Sequence, residues 1–100
     1  MYTEQELISK LIPIFQRFPV KRAALFGGYS RGEQTDKSDV DIILEIDMSH
    51  ERAAYFYIFW DELENATKLK TDLITFGSLN AAPSSFRNKV LKELRYIYET

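Results

Sequence analysis

The chain has 100 residues, 45% of them hydrophobic and 28% charged, with a formal net charge of -2. That suffices for one domain, residues 1–100, with a modest core. The slight acidity argues against a nucleic-acid-coating protein, which would carry a clustered basic face. With no cysteine there is neither a disulfide scaffold nor a thiolate zinc site. There is no apolar run near 18 residues, and the start MYTEQELISK is acidic and polar. A cytoplasmic setting without membrane association is therefore expected.

The predicted elements follow in chain order. Residues 3–18 read as a helix. Thr3 and Glu6 have capping-box spacing, and Leu7, Ile8, Leu11, Ile12, Phe15 and Phe18 form one apolar stripe. Pro13 inside the stripe predicts a kink or an early break. Residues 22–26 (RAALF) read as a short strand closed by Gly27 and Gly28, and residues 39–46 (DVDIILEI) as a second strand. A helix is expected from His50 to about Thr67, capped by Ser49. Its stripe is Ala53, Phe56, Trp60 and Leu63. Residues 72–76 (DLITF) make a third strand and residues 77–83 a turn-rich connection. Ser84 or Ser85 should cap a last helix with Phe86, Val90, Leu94 and Ile97 inward. The expected class is α+β, a small mixed sheet of about three strands packed against helices.

Element order also predicts where the strand ends meet. The link between the first two strands is about a dozen residues, too short for a comfortable parallel crossover, so these strands should be antiparallel. The helix between the second and third makes those parallel, with a right-handed connection. Gly27 and Gly28 then lie beside Asp39 and Asp41, and Asp72 comes to the same edge of the sheet.

Asp39 and Asp41 share a face, because side chains alternate along a strand. Carboxylates that close repel unless a cation sits between them, and a hard divalent ion such as Mg²⁺ takes such oxygen donors. Three carboxylates could hold one or two ions, an arrangement suited to in-line displacement at phosphorus. The glycine turn would let backbone amides approach phosphate oxygens. Against this stands the plainer possibility that D-x-D at a strand edge is solvated charge. A P-loop is excluded because Glu33 and Gln34 stand where Lys and Ser or Thr are required after Gly32.

The stretch LFGGYSRGEQTDKSDVDIILEI closely resembles the signature of the minimal nucleotidyltransferases, small members of the DNA polymerase β-like superfamily. KTDLITFGSLN resembles their third-aspartate strand and FRNKVLKELRYIYE their closing helix, so the likeness covers about residues 20–98. The resemblance implies the polymerase β-like fold. It implies Asp39, Asp41 and Asp72 as catalytic metal ligands, with Asp72 helping to activate the acceptor hydroxyl. It implies Gly27 and Gly28 as the triphosphate turn, with Ser30, Arg31 and Ser38 as further contacts. The implied reaction transfers a nucleoside monophosphate, AMP from Mg-ATP, to a hydroxyl. Short members of this family often pair with helical HEPN-family proteins as antitoxins, some by adding AMP to the toxin.

One departure is Gly28, where the pattern has serine. Losing a hydroxyl bond to phosphate costs about 1.5–3 kcal/mol. That feature, with the aromatic run YFYIFW at residues 55–60, motivates an alternative: a weak or inactive nucleotidyltransferase-like module that neutralises a partner by binding.

Overall fold

A computed structural model of the protein describes residues 2–18, 20–29, 32, 39–46 and 53–100. The first helix, α1 (Glu4–Arg17), starts at a complete capping box. The Glu6 amide donates to Thr3 Oγ1 at 3.1 Å, and the Thr3 amide donates to Glu6 Oε1 at 2.8 Å. Pro13 does not break the helix. Its ring lies on the solvent side, while Leu7, Leu11, Ile14 and Phe15 bury on the other and hold the element together.

Strands β1 (Val20–Phe26) and β2 (Val40–Ile46) pair antiparallel, and β2 pairs parallel with β3 (Thr71–Thr75), as element order predicts. Between β2 and β3 runs α2 (Ala53–Thr67). The expected cap Ser49 and start His50 lie outside the described residues. Lys68, just past α2, takes a left-handed φ of 60°, and its amide donates to the Glu64 carbonyl at 2.8 Å, closing the helix end.

The C-terminal third departs from expectation. Part of the expected connection is a short helix, α3 (Phe76–Asn80), started by Thr75, whose hydroxyl accepts the Ser78 amide at 3.0 Å. Helix α4 (Ser84–Glu93) begins after Pro83, with no side-chain cap from either serine. It stops at Glu93, and residues Arg95–Glu99 form a fourth strand, β4, antiparallel to β1. Among the described residues the sheet therefore has four strands, in the order β3-β2-β1-β4. The segment RYIYE alternates ring and aliphatic side chains in a way that suits a pleated surface better than another helical turn. Ile97 does pack inward, but from a strand.

Alternation along the strands separates two cores. Val20, Ala23, Leu25, Val40, Ile42, Leu44 and Leu73 face α1 and α2. Ala24, Phe26 and Ile43 face α3 and α4 through Leu79 and Val90. Phe15, fully buried, sits 6.1 Å from the Phe59 ring and 5.5 Å from Tyr98, which ties α1 to α2 and to β4.

Candidate active site

The carboxylates lie on the face that carries α3 and α4. In β2 the odd positions point there, as Ile43 shows by packing with Leu79 and Val90. Asp41 is therefore on that face at the start of the strand. Register places Asp41 opposite Asp72 of β3 on one side and opposite Phe26, the last residue of β1, on the other. Paired residues on neighbouring strands project to the same face, so Asp41 and Asp72 stand side by side. Both are half-buried, as is Asp39, one residue ahead of β2.

Gly27 completes the contact. Its φ is +73°, a conformation that glycine adopts without strain. A Cβ there would collide with Asp41 Oδ2 and stand 3.2 Å from Asp41 Cγ. The backbone of the turn thus lies directly against the carboxylate. Gly28 is open, with nothing within 4 Å of an added Cβ. Tyr29 then inserts into the core shared by α1 and α2, 1% exposed, and pins the far side of the turn.

The predicted convergence is thus present for Gly27, Gly28, Asp41 and Asp72. Asp39 stands at the same end of the sheet. Among the described residues no group of three His, Cys, Asp or Glu side chains is gathered into a set of metal ligands. Ser30, Arg31 and Ser38 lie outside the described residues.

Three further residues bear on the site through contacts that the sequence reading did not anticipate. Trp60 Nε1 donates to the Thr71 carbonyl at 2.7 Å, and Glu64 Oε2 accepts the Thr71 amide at 2.8 Å. These two side chains, one helical turn apart on α2, grip both polar groups of the residue before Asp72. They also cover the outer edge of β3, which is the end strand of the sheet among the described residues. Lys70 gives its carbonyl to the Val40 amide at 2.9 Å, which locks the register on the other side. The third is Glu93, at the end of α4, whose Oε2 accepts the Gly27 amide at 3.1 Å. Helical spacing could have flagged Trp60 and Glu64 as a pair. Nothing local could have flagged Glu93, whose role depends on how β4 returns.

Of the basic residues of the last segment, Arg87 donates to the carbonyls of Asn80 and Ala82, and Arg95 pairs with Glu4 at 2.9 Å.

Nucleotidyl transfer asks for oxygen donors on one sheet face with a backbone turn beside them, and Asp41, Asp72 and the turn at Gly27 have that arrangement. The chain belongs to the family described as Polymerase beta, Nucleotidyltransferase, whose profile matches residues 9–100. A Methanocaldococcus jannaschii protein provisionally named a protein adenylyltransferase is 45% identical over 65 residues, which are 64% of this chain and 65% of that protein. The match therefore spans just under two thirds of that relative's length. A toxin–antitoxin crystal structure with AMP-PNP superposes with a TM-score of 0.71 at 23% identity, covering 93% of this chain and 73% of that one. A complex of tri-AMPylated Shewanella oneidensis HEPN toxin with MNT antitoxin gives 0.67 at 19%, covering 97% and 73%. At these identities the two structures establish the fold, with a fourth strand beyond the three expected.

Proposed function

We propose that this chain transfers AMP from Mg-ATP to a hydroxyl of a helical HEPN-type partner and so acts as its antitoxin. The observation that carries the reading is the register of Asp41 with Asp72 under the Gly27 turn. The protein adenylyltransferase name of the relative and the toxin–antitoxin assemblies of the structural neighbours support the choice of nucleotide and acceptor.

The donor set suits magnesium. Two carboxylates side by side on one face repel each other and are stabilised by a hard cation, and all the donors are oxygen. Asp39, Asp41 and Asp72 would hold the ion. When bound, it supplies charge neutralisation at the phosphates and a more acidic acceptor hydroxyl. The chain's own residues do the rest. The backbone at Gly27 and Gly28 receives the triphosphate. Asp72 takes the proton of the acceptor hydroxyl as its oxygen bonds to the α-phosphorus. The bond from that phosphorus to the bridging oxygen breaks, and pyrophosphate leaves.

The test is transfer of label from α-labelled ATP with Mg²⁺ to protein in a lysate of the source cells. Wild type should label a partner band, and Asp41→Asn, which keeps the shape and drops the charge, should not. Equal labelling by both proteins would overturn the reading. Chelation by EDTA should abolish the band. A second reading, neutralisation by binding alone, draws on Gly28 and on the exposure of Tyr57 and Ile58 on α2. It requires that Asp41→Asn still neutralises the partner.

A further inference from the structure

The β1–β4 ladder ends before the sheet does. Its last registered pair is Leu25 with Arg95. Two residues further along each chain stand Gly27 and Glu93, which would form the next hydrogen-bonded pair if β4 extended that far. It does not, because Glu93 is the last residue of α4 and its backbone is helical. The donor at Gly27 would be left without a strand carbonyl, at a half-buried position. The Glu93 side chain supplies the acceptor instead, with Oε2 3.1 Å from the Gly27 nitrogen.

Resting on the nucleotidyltransferase reading above, we infer that Glu93 is a positioning residue for the nucleotide site: its carboxylate replaces the missing strand carbonyl, holds the Gly27 amide and so sets the glycine turn against Asp41. Gly27 is gripped from two directions. Asp41 fills the space where its side chain would be, and Glu93 holds its N–H. With a left-handed φ and no side chain, this residue is oriented through its backbone. A bond to a charged acceptor is worth roughly twice a neutral one, which suits a joint that must hold a turn of glycines. The rival role, a carboxylate occupying a phosphate's place, fits the geometry less well. The Gly27 amide stands where the next donor of the β1–β4 ladder would be, and the open position of the turn is Gly28.

Two variants separate the possibilities. Glu93→Gln keeps an oxygen that can accept the Gly27 amide, and Glu93→Ala removes it. The first readout needs no nucleotide: hydrogen exchange of the Gly27 amide by NMR, with Leu25 and Ile42 as core controls. Exchange at Gly27 should accelerate about ten-fold or more in Glu93→Ala, without matching change at the controls, and stay within a few-fold of wild type in Glu93→Gln. The second readout is Mg-ATP affinity well below the melting midpoint. It should weaken about ten-fold in Glu93→Ala and be largely restored in Glu93→Gln. Unchanged Gly27 exchange in Glu93→Ala would overturn the inference, and so would tighter nucleotide binding, which would make Glu93 a competitor for phosphate. Failure of the wild type itself to bind Mg-ATP would count against the nucleotide reading, while Gly27 exchange would still decide whether Glu93 holds the turn.

Discussion

A methyl group at position 27 would run into the Asp41 carboxylate, whereas at position 28 it would meet nothing within 4 Å. The two glycines should therefore answer substitution in opposite ways. Gly27→Ala combines that collision with a left-handed backbone, which alone costs about 1–2 kcal/mol, so it should lower the melting midpoint and abolish AMP transfer. Gly28→Ser restores the hydroxyl of the family pattern in open space. It should leave the midpoint unchanged and tighten Mg-ATP binding about ten-fold, as measured by titration calorimetry, in line with one added bond to a charged group. Far from the site, Glu6 offers a pH test. The Thr3 amide, then the Thr3 hydroxyl, holds its carboxyl below the ordinary 4.5. A lowered folded-state value stabilises the fold above the unfolded-state value, and the contribution disappears as pH falls through the folded one. The gap in melting midpoint between wild type and Glu6→Gln should accordingly be wider at pH 7 than at pH 3.

Among the elements, α2 does more than cover the sheet. Its Trp60 and Glu64 hold Thr71 at both polar groups, one residue before Asp72. Trp60→Phe keeps an aromatic body against Phe56, whose ring is 5.7 Å away, and deletes the N–H. The loss should be about 1 kcal/mol in a denaturant titration. AMP transfer at a temperature where the variant remains folded should fall further than that loss explains, because Asp72 moves with its neighbour. An undiminished rate would show that β2 pairing alone suffices to place Asp72. By contrast, the exposed pair Arg17–Glu62, 2.9 Å apart across α1 and α2, is worth about 0–1 kcal/mol and positions nothing in the site.

At the scale of the molecule, the site is a seam where three strands end, so occupancy should stabilise the whole fold. A ligand at a hundred times its dissociation constant adds about 2.7 kcal/mol. For a domain of this size that is roughly 10 °C or more in melting midpoint. Mg-ATP should produce such a shift in wild type and little in Asp41→Asn, as read by calorimetry. An equal shift in both would remove Asp41 from the nucleotide site. The same experiment with EDTA and ATP isolates the part that magnesium plays.

What the chain determined alone was local or short in range. The capping box at Thr3 and Glu6, the stripe of α1 and the D-x-D at the mouth of β2 are periodic or fixed-spacing features, legible because the neighbours that satisfy them are a few residues away. Strand directions followed too, since linker length limits how a chain can turn back. Tertiary structure decided the rest. The segment RYIYE continues a helical pattern on paper and becomes β4 because β1 had an unpaired edge and the α1 core had room for Ile97 and Tyr98. Glu93 acquired its part only then, as the residue left opposite Gly27 where the returning strand has not begun. Trp60 and Glu64 likewise needed β3 at the sheet edge before they had a backbone to hold. Such partners are chosen by contacts between residues far apart in sequence, and no spacing within a segment encodes them.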